Sequence, residues 1–144
     1  MPFQLATATP AEIRQFVRYG IKSLTLDPLF YYAAKQYKLR PSYEKAVMLY
    51  SVFFGDLNPE FDSCEINISD DMKRSLRNPA FGRDFRPDYF DGVTRSLLPS
   101  LNQYVVQYNG PSGGAPKEFT LKPCYLAAKS ALSRVGFDVG ALGM

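Results

Sequence analysis

The residue types that catalysis and metal binding most often require are sparse in this sequence. It contains no histidine and only two cysteines, Cys64 and Cys124. This excludes Ser-His-Asp and Cys-His mechanisms and histidine-based zinc sites, and two cysteines cannot complete a structural zinc shell. Neither a GxxxxGK[ST] nor a GxGxxG phosphate-binding motif is present. The sequence therefore predicts a protein that is not an enzyme and that has no cofactor and no metal site.

Carboxylates are the main remaining candidates for chemistry, and many of them lie in one segment. Six acidic residues and no Lys or Arg occur between Asp56 and Asp71. A calcium-binding EF-hand loop that began at Asp56 would need glycine at its sixth position and glutamate at its twelfth. The sequence has Phe61 and Asn67 at these two positions. An EF-hand is therefore not predicted, whereas a weak carboxylate site of another kind stays open.

Charge is segregated along the chain, although the net charge is only +3. Residues 51–72 carry −6, whereas residues 1–50 carry +4 and residues 73–95 carry +3. Patches of both signs favour docking between proteins, whereas nucleic-acid binding usually needs a strongly basic domain. The candidate acidic residues for binding a partner are Asp56, Glu60, Asp62 and Glu65.

Basic residues recur every four positions in the first predicted helix, and further ones follow in the second. Bound to nucleic acid, they would contact phosphates while nearby tyrosines stacked on bases. A solvated helix face is the alternative interpretation of the same pattern. The candidate basic residues for a protein partner or a nucleic acid are Arg14, Arg18, Lys22, Lys35, Lys38 and Arg40.

Capping signals and apolar spacing predict the elements that position these residues. The pattern indicates a mainly α, single-domain bundle of about six helices over residues 1–144, with long loops and at most one or two short extended segments. The predicted helices start at or just after Thr9, Asp27, Ser42, Ser69, Tyr89 and Pro123. The third is apolar over the widest arc and is expected to be central, and the fifth is expected to continue with a kink through Pro99.

Two further segments stand out near the C-terminus. Residues 109–117 are rich in Gly, Pro and Ser and are predicted to form a flexible loop. Residues 136–144 form an apolar tail, which is expected to pack on the protein's own core or on a neighbour. The candidate interface residues of this tail are Phe137, Val139, Leu142 and Met144.

Part of the chain resembles a known family. The segments "KAVMLYSVFFGDLNPEFDSCEINISDDMKRSL" and "YFDGVTRSLLPSLNQYV" resemble the second half of regulator-of-G-protein-signalling domains. The resemblance lies in Glu65–Ser69, between two predicted helices, and in the Phe90-Asp91 pair that leads the next one. The family's Glu-Glu-Asn-Leu and Phe-Trp signatures have no counterpart before Phe30. The resemblance implies a helical, protein-binding regulatory module and transfers no functional residue.

The sequence also bears on location and overall role. No apolar run approaches the roughly 20 residues that span a bilayer, and the first residues do not resemble a signal peptide. The expected location is therefore the cytoplasm, a virion or another intracellular complex. The predicted function is a non-catalytic structural or assembly subunit, such as a capsid, nucleocapsid or connector protein, whose partners are copies of itself or other subunits. A regulatory protein-binding module and a nucleic-acid-binding protein that uses the basic N-terminal helices are the alternatives.

Overall fold

The described part of the chain folds as one mainly helical domain, as the sequence predicts. The computed structural model describes residues 3–22, 26–54, 66, 71–72, 86–110 and 123–140. A short 3-10 helix at Leu5–Thr7 comes first. The five α-helices with described bounds are α1 (Pro10–Lys22), α2 (Asp27–Leu39), α3 (Tyr43–Phe53), α4 (Asp91–Tyr108) and α5 (Pro123–Arg134). Of the additional helix predicted after Ser69, only Asp71 and Met72 are described, and both are helical.

Helix α1 begins with the capping box that its sequence predicts. The Thr9 amide donates to the Glu12 carboxylate at 3.0 Å, and the Glu12 amide donates to the Thr9 hydroxyl at 3.2 Å. These two reciprocal bonds satisfy amides that have no acceptor within the helix. The bond from the Thr9 amide also lowers the pKa of Glu12, because it stabilises the charged carboxylate.

Helix α2 has the predicted extent and begins at Asp27. Leu26 is the N-cap, and Asp27 and Pro28 are already helical. Proline is tolerated throughout the first turn because the amides there have no intrahelical acceptor. Asp27 is only 3% exposed. Its carboxyl group is therefore buried at the N-terminal end of the helix, where the helix dipole favours a negative charge.

Helix α3 is capped as predicted, since the Ser42 hydroxyl accepts a hydrogen bond of 3.2 Å from the Lys45 amide. Helix α4 starts two residues later than predicted. Successive turn bonds, from the Tyr89 amide to the Arg86 carbonyl and from the Asp91 amide to the Asp88 carbonyl, occupy the approach to it. From Asp91 it continues without a break through Pro99.

Helix α5 ends where the sequence predicts. Gly136 follows it with a φ of +98°, a conformation that other residues rarely adopt. The Phe137 amide then donates to the Leu132 carbonyl at 3.1 Å. Because the chain turns back there, the Phe137 and Val139 side chains enter the core, where they are only 4% and 1% exposed.

The centre of the domain is α2 rather than the expected third helix. Helix α2 packs on α1, α3 and α4, whereas α3 packs on α2 and α5. Nine of the thirteen α2 residues are buried. Phe30 of α2 lies within an aromatic cluster, with its ring centroid 5.2 Å from Phe53, 6.3 Å from Phe54 and 6.0 Å from Phe90. This cluster joins α2, α3 and the start of α4.

No strand occurs among the described residues. The expected extended piece at residues 64–68 is represented there only by Ile66. Its amide donates to the Phe53 carbonyl at 3.1 Å, and its side chain is 3% exposed. No helix in the described ranges is long and apolar enough to cross a membrane.

Candidate functional site

The described residues form an open groove of about 580 Å³ between α2, α4 and the N-terminal segment. We call it the apolar groove. Its walls are residues 3–6, one face of α2 from Tyr31 to Lys38, and one face of α4 from Asp91 to Val105. A cavity of this size with mainly apolar walls and a few polar groups is typical of a binding site.

The floor of the apolar groove consists of core side chains. Ala34, Tyr37 and Phe90 line it while being at most 7% exposed. The Tyr37 ring packs edge-on against Phe90 with centroids 5.3 Å apart, and the Tyr37 hydroxyl donates to the Arg86 carbonyl at 2.8 Å. The hydrogen bond and the ring contact hold the floor in one arrangement. The shape of the groove is thus a product of core packing.

One wall of the apolar groove is the N-terminal segment, which is tied to the end of α4. The Phe3 amide donates to the Asn109 side-chain oxygen at 3.0 Å, and the Asn109 side-chain nitrogen donates to the Phe3 carbonyl at 2.9 Å. The Phe3 ring stacks on Phe16 at 5.0 Å and meets Tyr108 edge-on at 5.4 Å. These contacts hold the N-terminal segment against α1 and the end of α4.

The rim of the apolar groove carries charged side chains. Lys38 forms an ion pair with Asp91, with the nitrogen 3.0 Å from the carboxylate oxygen. Lys35 lies 5.1 Å from the centre of the Tyr31 ring, a cation–π contact. Lys35 forms no ion pair among the described residues. Among the described residues, the Lys35 ammonium at the rim is therefore not neutralised by a carboxylate.

A second, smaller cavity of about 320 Å³ lies against a different face of α2. We call it the basic depression, because Arg14 of α1, Arg40 at the end of α2 and Lys45 of α3 line it. Tyr32 also lines it, and its pKa is raised by burial and by the Asp138 carboxylate, while Arg14 acts in the opposite direction.

The structure distributes the predicted basic residues over several surfaces. Arg14 and Arg40 share the basic depression, and Lys35 and Lys38 share the rim of the apolar groove. Arg18 lies near Tyr125, whose pKa it lowers while burial raises it more strongly. The backbone at position 22 closes α1, and the Lys22 side chain is not described. The six residues thus do not line one cavity.

The predicted acidic residues Asp56, Glu60, Asp62 and Glu65 lie outside the described residues, as do Leu142 and Met144 of the tail. Phe137 and Val139 pack in the protein's own core. Their burial follows from the turn at Gly136, which directs the chain inward. Of the four candidate interface residues in the tail, these two are therefore not exposed to a partner in this conformation.

Sequence reasoning missed the apolar groove, although a signal for it exists. The core stripe of α4 contains Val93, Leu97 and Leu101. The groove residues Thr94 and Leu98 each follow a core residue by one position, so they form a parallel stripe beside the core. A second stripe of this kind is typical of a helix whose apolar arc extends beyond the area that its neighbours cover.

Metal-binding side chains do not converge in the described ranges, where no group of three His, Cys, Asp or Glu is close enough to hold an ion. Comparison with known proteins identifies no relative, since no family model, curated protein or solved structure matches the chain significantly.

Proposed function

We propose that this protein is a non-catalytic assembly subunit that associates with further copies of its own chain and with other subunits of one complex. The observation that supports this role is the apolar groove, an open cavity of about 580 Å³ with a floor of core side chains. Apolar side chains of a neighbouring subunit would fill it, because burying apolar surface stabilises association by about 25 cal/mol per Å² before the entropic costs.

The polar groups of the groove favour binding over catalysis. Lys38 is paired with Asp91, and the Thr94 hydroxyl donates to the Phe90 carbonyl at 3.1 Å. These groups are engaged in structural contacts instead of converging on a common point, as a nucleophile and its base would. Lys35, which lacks a carboxylate partner among the described residues, would attract an acidic residue of the incoming subunit.

The charge distribution of the sequence supports copies of the same chain as partners. Residues 51–72 carry −6 and the flanking regions are basic, so an acidic segment of one copy would be attracted to the basic surface of the next. Contacts between unlike patches of identical chains build rings or filaments. Exposed apolar side chains on two helices, Leu98 and Val106 on α4 and Leu126 on α5, add surface that association would cover.

Light scattering coupled to size exclusion tests this role. The purified protein should show a mass that rises with concentration, and Leu98→Glu should weaken association about tenfold or more, because it buries a charge in the groove. Gln103→Glu is the matched control, since it adds the same charge at an exposed position of the same helix outside the groove.

A protein that stays monomeric up to about 100 µM would contradict the proposed assembly with its own copies. If Leu98→Glu and Gln103→Glu weakened association equally, association would depend only on net charge. The groove would then not be the surface through which copies associate.

A further inference from the structure

The basic depression is fixed by hydrogen bonds that join three parts of the chain. The Gln36 side chain donates to the Asp138 carbonyl at 3.1 Å and accepts from the Asp138 amide at 2.7 Å. The Lys45 ammonium donates to the Arg40 carbonyl at 3.0 Å and lies 5.7 Å from the centre of the Phe137 ring. The end of α2, α3 and the segment after α5 are therefore held together around the depression before any ligand binds.

Positive charge predominates in this depression. Arg14, Arg40 and Lys45 line it with Asp138 as the one carboxylate, so the lining carries a net charge of +2. None of the three cations forms an ion pair among the described residues. The Lys45 ammonium has two further donors beyond its bond to the Arg40 carbonyl, and the guanidinium groups offer paired N–H donors that match a phosphate.

An apolar edge lies beside these cations. Leu39 lines the depression and is 83% exposed, which is unusual for a leucine on the most buried helix of the domain. Pro10 lines the cavity as well. The depression thus offers a charged part for an anion and an adjacent apolar surface for an organic group attached to it.

We propose that the basic depression binds a small organic phosphate monoester in its dianionic form. The net charge of +2 on the lining matches that dianion, and Arg14 and Arg40 would each donate to the phosphate oxygens. A nucleic-acid backbone fits less well, because its phosphates carry a single charge each and need a basic track that extends beyond one cavity. The phosphate site does not depend on the assembly role proposed above.

The Asp138 carboxylate lines the same cavity and would repel the phosphate, so removing its charge should have the opposite effect to removing an arginine. Its main chain is held by Gln36, so replacing the carboxylate leaves those hydrogen bonds in place. Asp138→Asn should therefore tighten phosphate binding severalfold, whereas Arg14→Gln and Arg40→Gln should each weaken it about tenfold or more. Arg18→Gln is the control, since Arg18 is on the same helix as Arg14 but lies near Tyr125 instead of the depression.

Isothermal titration with phenyl phosphate, inorganic phosphate and dimethyl phosphate at low salt tests the site. Phenyl phosphate should bind more tightly than inorganic phosphate, because its ring can contact Leu39, and dimethyl phosphate should bind weakly, because it carries one charge. The affinity for phenyl phosphate should rise from about pH 5 to about pH 8, as the monoester loses its second proton near pH 6.

Three results would overturn the proposal. The first is no binding of phenyl phosphate at about 10 mM. The second is binding that Arg14→Gln, Arg40→Gln and Arg18→Gln weaken equally, which would indicate general charge attraction. The third is binding of a single-stranded oligonucleotide or an acidic peptide that phenyl phosphate does not displace, which would show that the surface recognises an extended polyanion. Circular dichroism of each variant separates these results from loss of folding.

Discussion

The apolar groove and the basic depression lie on different faces of the same helix, α2, and they are built by different interactions. The floor of the groove is core: Tyr37 and Phe90 are at most 2% exposed and pack against each other. The depression is surrounded by long charged side chains and is fixed by hydrogen bonds of Gln36 and Lys45 to main-chain atoms. A cavity formed by packing should change little with salt or pH, whereas a cavity formed by charges and exposed hydrogen bonds should respond to both.

The largest expected effect comes from the floor of the groove. Phe90→Ala should lower the free energy of unfolding by about 3–5 kcal/mol, because it leaves a void in the core. Phe90 is in ring contact with Phe30, Tyr37, Phe54 and Tyr89, so several neighbours lose a packing partner. Urea unfolding followed by circular dichroism measures the change.

Leu98→Ala is the control for that substitution, because Leu98 lines the same groove but is 36% exposed. Leu98→Ala should lower the free energy of unfolding by less than about 1 kcal/mol. A Phe90→Ala loss as small as that of Leu98→Ala would show that the floor of the groove is not part of the stabilising core, and the contrast with the depression would disappear.

The next effect concerns the hydrogen bonds that hold the depression. Gln36→Ala removes both side-chain bonds to Asp138, and each such bond contributes about 0.5–1.5 kcal/mol. Gln36→Ala should therefore lower the free energy of unfolding by about 1–3 kcal/mol. Hydrogen exchange at the Asp138 amide should also become faster. Gln15→Ala, at an exposed position of α1, should change stability by less than about 0.5 kcal/mol. Unchanged exchange at Asp138 would mean that Gln36 does not hold this segment.

A smaller effect should appear at alkaline pH. The pKa of Tyr32 is raised first by burial and then by Asp138, so deprotonation is harder in the folded state than in the unfolded chain. The contribution of this pKa shift to the free energy of unfolding is fully present below the usual tyrosine pKa of about 10. It is lost as the pH rises through the raised pKa of Tyr32. Urea unfolding between about pH 9 and pH 11 should show a shallower decline for Tyr32→Phe than for the unmodified protein. If the free energy of unfolding declined in parallel for both proteins, the pKa of Tyr32 would not be raised in the folded state.

The smallest effect is expected at the rim of the groove. The side chains of Lys38 and Asp91 are 58% and 38% exposed, so solvent screens their attraction. A double-mutant cycle with Lys38→Gln and Asp91→Asn should give a coupling of about 0.2–1 kcal/mol that declines with added salt. The longer pair between Arg86 and Asp88, at 3.8 Å and more exposed, should couple less. A Lys38–Asp91 coupling above about 2 kcal/mol would indicate that the rim is organised as firmly as the floor.

Local signals predicted the helices well because the groups that start and stop a helix are close in sequence. Thr9 and Glu12 cap each other across three positions, Ser42 caps α3, and Gly136 ends α5 with a positive φ. The start of α4 lies two residues after Tyr89, where a preceding turn occupies the approach to the helix. Such boundaries depend on small differences in energy.

The prediction that the third helix is central was wrong, because hydropathy describes the side chains of a helix and not the number of neighbouring helices that pack on it. Helix α3 is the more apolar segment, yet α2, with its four polar and charged residues Asp27, Lys35, Gln36 and Lys38, contacts more helices. Its tyrosines pack with their rings inside, as Tyr31, Tyr32 and Tyr37 are at most 7% exposed. Tyrosine combines an apolar body with a polar tip, so its burial cannot be read from composition.

The sequence by itself determined the helical class, most helix boundaries and the lack of histidine chemistry, because these depend on residue type and on contacts within a few positions. Only the tertiary structure decided which cations share a surface. It placed together Arg14 of α1, Arg40 directly after α2 and Lys45 of α3, and it placed Lys35 and Lys38 on another face of α2. The reason is physical: a cavity is formed by residues that are far apart in sequence, and its position depends on how helices pack, which no local pattern specifies.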